Sequence, residues 1–167
     1  MIQIKNAAEL EKMRKACAIS AAALKAGGEA IEPGITTAEI DKIIYDFIVR
    51  HGARPNFLHL YGFPATACIS VNDTVIHGIP SRQQQIRPGD IVSIDTGCKI
   101  DGFNGDNACT YACGKIDLEA QRLLDVTKES LHRGIEMARG GNRVGDIGHA
   151  VQSYVEENGF SVVRSFV

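Results

Sequence analysis

Asp95 and Asp106 stand eleven positions apart, on either side of Asp101-Gly102, and His77 lies upstream in a His-Gly-Ile-Pro segment. Ile91 to Asp95 is a β-branched run that carries one carboxylate, and Gly105 to Tyr111 is a second short run that carries the other. An Asp-Gly pair between such runs predicts a two-residue hairpin loop. Closing that loop sets Gly97 opposite Asp106. Gly97 is two residues from Asp95, so side-chain alternation brings both carboxylates to one face of the sheet. Hard anionic ligands converging on rigid β-structure suit divalent metal ions, as in two-metal hydrolases. An aspartate in mid-strand opposes strand propensity. Two carboxylates stripped of water side by side are costly unless a cation sits between them.

The plainer readings differ for each residue. Asp95 could pair with a lysine or arginine, and Asp106 could belong to a turn around Asn104-Gly105. His77 leaves a β-branched pair beside a glycine, a common setting for an active-site histidine, although a lone histidine is more often structural. Asp90 in Pro-Gly-Asp and Asp101 in Asp-Gly read as turn residues. His51, His59, His132 and His149 fall at a helix end, in a loop or on helix surfaces. Ala26-Gly27-Gly28 lies inside a helical pattern and follows no strand, so it is no phosphate cradle.

Two helical segments precede these runs and two follow. Residues 7–30 carry apolar positions at helical spacing, Glu32-Pro33-Gly34 breaks them, and Thr37 is the expected N-cap of a second helix ending at His51-Gly52. Strands are expected at Thr66–Val71, Ile91–Asp95 and Asn107–Tyr111. Helical spacing returns from Leu118, with helices over Arg122–Met137 and Val144–Asn158.

A shift of 107 residues superposes Leu24 on Leu131, Gly27 on Gly134, Gly34 on Gly141, Ile40 on Ile147 and Gly52 on Gly159. Two copies of one unit are therefore expected, at about 7–113 and 118–167. The first feeds the segment with His77, Asp95 and Asp106. The second reaches only the apolar, strand-like run Phe160–Val167. Such a run leaves apolar surface and backbone donors without partners, so a second β-segment is expected beyond it.

A chain of 167 residues suits one domain with a substantial core. A net charge of −2 offers no basic footprint for nucleic acid or an anionic membrane. The charged, helical N-terminus is unlike a signal peptide, and no apolar stretch approaches the ~20 residues that span a bilayer. Five scattered cysteines form no CxxC pair, which favours reduced thiols and a cytoplasmic location. Cys109 and Cys113 lie four apart without the second pair that a structural zinc site uses.

Asn72–Pro80, Pro88–Asp95 and Asp101–Asp106, in that order and spacing, closely resemble the type I methionine aminopeptidases. The likeness spans essentially the whole chain, from the Met13-Arg14-Lys15-Ala16 helix to the Glu156–Arg164 segment. It implies an α+β chain of the pita-bread (creatinase/aminopeptidase) fold: pseudo-symmetric helix pairs backing a curved antiparallel sheet. It implies a single metallopeptidase catalytic domain over 1–167, incomplete at its C-terminus. It further implies removal of the initiator methionine from nascent chains whose second residue is small. Two divalent ions (cobalt, manganese, iron or zinc) would serve as cofactors, with Asp95 and Asp106 as ligands and Asp106 bridging. His77 would be catalytic, contacting the scissile amide, and Phe63 and Cys68 would line the methionine pocket.

The family's remaining ligands are a histidine in a Gly-His-Gly segment and two glutamates, and no Gly-His-Gly occurs here. Leu60 stands where relatives often carry an aromatic residue. The chain alone is therefore expected to be inactive, as part of a monomeric enzyme with nascent polypeptides, and the ribosome, as partners. The rival readings are a related Xaa-Pro aminopeptidase and a non-catalytic pita-bread interaction module.

Overall fold

A computed structural model describes residues 3–164. It divides into two compact units, Met1–Ile116 and Asp117–Val167.

In the first unit, helix α1 spans Ala7–Glu29 and helix α2 spans Thr37–Arg50. Asn6 caps α1, and Glu9 reaches back to the Asn6 backbone in a reciprocal capping box. The N-cap of α2 is Thr36 rather than the expected Thr37. Only Thr36 has Glu39 three residues on to close the same box. Thr37 is buried, and its hydroxyl exchanges hydrogen bonds with the Ser81 backbone.

Strands β1 (Arg54–Pro55), β2 (Ala67–Val71), β3 (Ile91–Ile100) and β4 (Phe103–Ala112) form one antiparallel sheet. β4 pairs with the whole of β3, while β1 and β2 share its other side. β3 and β4 run further toward the hairpin than residue preferences predict. Ten consecutive cross-strand pairs hold weak strand formers such as Gly97, Asn104 and Asp106 in register.

Val92, Ile94, Thr96 and Cys98 alternate onto the buried face of β3, where Ile40, Ile44 and Ile48 of α2 complete the core. α1 lies across β3 and β4 through small residues. A Cβ on Gly105 would stand 2.3 Å from the Ala16 carbonyl oxygen, and one on Gly28 would enter the Tyr111 ring. Helix and sheet can approach this closely only because both positions are glycine. The helix layer therefore fixes β4, the strand that carries Asp106.

The second unit holds α3 (Leu118–Met137) and α4 (Val144–Glu157). α3 begins four residues before the expected Arg122, because the Asp117 carboxylate caps it by accepting from the Ala120 amide at 2.7 Å. α4 starts and ends 107 positions after α2. Within each pair a glycine lets the helices cross. A Cβ on Gly27 would stand 2.7 Å from the Ile44 side chain, and one on Gly134 would stand 2.8 Å from Val151, the same two positions in the offset. Residues 160–164 of the expected final strand are not in a strand, since no other strand among the described residues pairs with them. Residues 165–167 of that run lie outside the described residues.

Candidate metal centre and adjoining cavity

Ile100 pairs with Phe103, and both Asp101 (φ 53°) and Gly102 (φ 86°) are left-handed. That is the two-residue turn expected of Asp-Gly, with positive φ at both positions. Lys15 on α1 donates to the Asp101 carboxylate at 2.8 Å, tying the hairpin tip to the helix layer. This hydrogen bond, together with the lysine charge, holds Asp101 below the usual carboxylate range. Asp90 accepts from the Arg87 amide and from the Asn72 side chain, a turn role as well.

From this turn the register places Asp106 opposite Gly97, and Asp95 opposite Ala108 on β4 and Cys68 on β2. Cys68, Asp95 and Asp106 therefore share one face of the sheet, opposite to the one that α1 and α2 cover. Asp95 is half-buried and Asp106 exposed. One Asp95 carboxylate oxygen, Oδ1, is buried without any hydrogen-bond partner. Burial, then the charge of Asp106, then hydrogen bonding with Asp106 push the Asp95 carboxyl up to about 6, while His77 pulls it down. Such a pair is unfavourable by itself and is relieved by a cation.

His77 reaches this face through a strained segment. Its φ is 55°, unusual for a residue with a Cβ. The next residue lies directly on β2. The Gly78 carbonyl accepts from the Ile69 amide at 2.8 Å, and its amide donates to Ser70 Oγ at 3.1 Å. A Cβ on Gly78 would stand 2.1 Å from the Ile69 oxygen. Docking of Gly78 on β2 thus forces the turn that aims His77 toward Asp95.

A cavity of about 470 Å³ opens beside them, lined by Phe57, Leu60, Phe63, Cys68, His77 and Asp95 among others. Its outer wall is the loop 57–64, in which His59 (φ 68°) and Tyr61 (φ 50°) are left-handed too. Burial first, and then the charges of Asp95, Asp106 and Asp41, push the Cys68 thiol up to about 11. Cys68 is therefore a neutral, soft wall rather than a nucleophile at neutral pH.

The structure thus brings His77, Phe63, Cys68 and Asp95 around one cavity, with Asp106 beside Asp95 on the same sheet face. Residue reasoning did not find Phe57 or the left-handed conformations of His59 and Tyr61 in the loop. Their conformations follow from loop closure against β2 and β3 and leave no periodic signal. Cys109 is exposed and Cys113 buried, so the pair shares no common site.

The residues fit a divalent cation. Asp95 has an orphaned buried oxygen and lies beside a second carboxylate that opposes its ionisation. Among the described residues, no group of three or more His, Cys, Asp or Glu is placed to hold a metal ion. Asp95 and Asp106 are the two carboxylates that the described residues place side by side here.

The Metallopeptidase family M24 profile matches residues 11–167. The chain is 51% identical over its full length to a methionine aminopeptidase of Clostridium perfringens and spans 67% of that relative. Among solved structures it resembles methionine aminopeptidase from Thermotoga maritima, with TM-score 0.96, 38% identity, and coverage of 100% of this chain and 67% of the other. The enzyme from Rickettsia prowazekii is similar at TM-score 0.96 and 38% identity, covering 99% of this chain and 66% of the other. The likeness extends to the pita-bread α+β fold, of which the antiparallel sheet and its flanking helices are the visible parts.

Proposed function

The chain belongs to metallopeptidase family M24, and from that premise we propose that it supplies the Asp95–Asp106 half of a methionine aminopeptidase centre. The observation that carries this reading is the side-by-side placement of those carboxylates on one sheet face, where Asp95 and His77 line an apolar cavity. Asp95 and Asp106 would hold divalent ions. When bound, such ions supply Lewis acidity toward a peptide carbonyl and toward water.

Everything else is work for this chain's own side chains. Phe63 and Cys68 offer an aromatic and a sulfur surface suited to a methionine thioether, and Leu60 forms part of the same apolar lining. His77 would stand at the scissile amide. An imidazole there can donate a proton to the departing amine nitrogen. With a substrate side chain filling the cavity, its apolar walls would displace water and strengthen polar contacts at the reacting bond. The substrates on this reading are polypeptides with an N-terminal methionine and a small second residue, met as they leave the ribosome in the cytoplasm. No helix among the described residues is long and apolar enough to cross a membrane.

We read Asp117–Val167 as the helix pair of a second copy of the same unit. Its exposed Leu123, Leu131 and Ile135 correspond in the 107-residue offset to Ala16, Leu24 and Gly28, which lie against the sheet in the first. The chain spans about two thirds of its relatives, 67% for the Clostridium perfringens enzyme. The family's histidine and glutamate ligands would complete the centre.

Two measurements test the reading. Titrating the chain with Mn²⁺ should show weak binding that Asp95→Asn and Asp106→Asn each remove, with no detectable hydrolysis of Met-Ala-Ser. Mn²⁺ binding unaffected by either substitution, or robust turnover by residues 1–167, would overturn it. Resonances of Phe63 and Cys68 should shift with L-methionine and not with L-proline, which separates this reading from an Xaa-Pro peptidase. A protein that binds ribosomes but neither Mn²⁺ nor L-methionine would be an interaction module instead.

A further inference from the structure

Asp41 lies on α2 and faces the sheet, away from the pair of aspartates described above. Its Oδ1 accepts from two consecutive backbone amides, Thr66 at 2.9 Å and Ala67 at 2.8 Å. Those residues are 1% and 0% exposed, so neither amide has water as an alternative partner. Asp41 is itself held in place, because Ile40 and Ile44 on either side anchor this stretch of α2 in the core.

The two amides mark the junction between the cavity loop and β2. Upstream, residues 57–64 form the cavity wall; one residue downstream, Cys68 is the cavity's soft surface and the cross-strand partner of Asp95. Within the loop, hydrogen bonds are internal, such as His59 to Phe63 at 2.8 Å and Leu60 to Phe57 at 2.9 Å. Among the described residues, the loop is tied to the rest of the unit at its two ends. At one end the Asn56 amide donates to the Gly97 carbonyl at 2.9 Å, and at the other stands Asp41. Thr96 Oγ1 adds a long contact to the Thr66 carbonyl at 3.5 Å. A loop with left-handed His59 and Tyr61 holds its shape only if its ends are fixed.

We propose that Asp41 is a positioning residue: from the helix layer its carboxylate pins the Thr66–Ala67 junction and so fixes the wall of Phe57, Leu60 and Phe63 relative to Cys68 and Asp95. The substrate consequence rests on the methionine-cavity reading above, whereas the pinning itself does not. Burial works against the Asp41 charge and raises its carboxyl, while the two amide hydrogen bonds offset part of that rise. A half-buried carboxylate maintained this way acts on the backbone it grips.

The test compares Asp41→Ala and Asp41→Asn with the unaltered chain. Amide exchange is followed at Thr66, Ala67, Ile44 and Ile94, and alkylation of Cys68 by iodoacetamide is mapped by mass spectrometry. In Asp41→Ala, exchange at Thr66 and Ala67 should rise about tenfold or more while Ile44 and Ile94 stay protected. Cys68 should be alkylated several-fold faster. Asp41→Asn keeps an oxygen acceptor and should restore most of the protection at Thr66 and Ala67. Both variants lose the charge that raises the Cys68 thiol, so slower alkylation in Asp41→Asn than in Asp41→Ala reports the wall rather than the charge. Unchanged exchange at Thr66 and Ala67, or uniform loss of protection at all four amides without recovery in Asp41→Asn, would overturn the proposal. L-methionine titration of the same proteins separates the two ideas. Lack of binding by the unaltered chain defeats the cavity reading alone, and the amides and thiol still decide Asp41.

Discussion

Gly97 lies directly across from Asp106, and that pairing turns the Asp106 carboxylate toward Asp95 two residues away on the neighbouring strand. A slip of one residue in the β3–β4 register would send Asp106 to the helix-covered face. The turn that sets the register is Asp101-Gly102, and Lys15 ties its tip to α1. The candidate metal centre thus depends on a hairpin whose geometry is decided about five residues away.

Removing one carboxylate should have opposite effects on ion binding and on the ion-free fold. Asp106→Asn relieves the charge that opposes Asp95 ionisation, so the ion-free protein should melt at the same temperature or higher. The same change should weaken Mn²⁺ by at least about tenfold, because a carboxylate ligand is lost. Calorimetric titration and thermal melts in the presence of a chelator give both numbers. A lower melting temperature together with unchanged Mn²⁺ affinity would contradict the assignment.

Asp95 should give the ion-free fold an unusual pH response. Its carboxyl is raised to about 6 in the folded state, against about 3.9 in an unfolded chain. The folded state therefore binds the proton more tightly. The contribution is fully present below the unfolded value and is lost as pH rises through about 6. Urea denaturation of the ion-free protein should show this component falling between about pH 4 and pH 6.5, and Asp95→Asn should flatten it. Carbon-13 chemical shifts of the Asp95 carboxyl would report the midpoint directly.

His77 is strained where it stands. A left-handed residue with a Cβ costs roughly 1 kcal/mol relative to glycine, so His77→Gly should raise the urea midpoint. His77→Ala keeps the strain and should not. If the imidazole serves the scissile amide, both should lower kcat of the complete enzyme by about a hundredfold or more. Equal stability of the glycine and alanine variants would show that the conformation stores no strain.

Gly78 and Gly105 should tolerate no side chain. At each, an added Cβ meets backbone, Ile69 O at 2.1 Å or Ala16 O at 2.3 Å, and backbone cannot move aside cheaply. Gly105→Ala should destabilise by about 1–3 kcal/mol through overpacking between α1 and β4. Gly62→Ala meets no atom within 4 Å, yet its φ of 85° makes it a control for backbone strain alone. Chemical denaturation of the three variants separates close approach from strain.

Particular residues show how much was legible beforehand. Asp101-Gly102 between a β-branched run and a second short run implied the turn, the turn implied the Gly97–Asp106 pair, and alternation implied a shared face. Each step is local and follows from fixed backbone geometry. The helix pairs were equally legible, because apolar spacing and glycine breaks recur after 107 residues. Boundaries fared less well. Thr36 rather than Thr37 caps α2, since the choice turned on Glu39 and on the burial of Thr37 beneath Ser81. β3 and β4 run on through glycine, asparagine and aspartate, because a ladder of partners outweighs intrinsic preference.

Local sequence, then, determined the hairpin, its register and the face on which both carboxylates lie. Those properties depend on neighbours within a turn or a strand pair. Tertiary structure alone decided that Asp95 is half-buried with one oxygen unpartnered, that Gly78 presses on β2 and turns His77 toward it, and that Asp41 reaches from a helix to grip Thr66 and Ala67. These contacts join different elements once they have packed, and no residue pattern encodes which amide a carboxylate on another element will meet. Burial, and with it the energetics of a charge, exists only once the layers have packed.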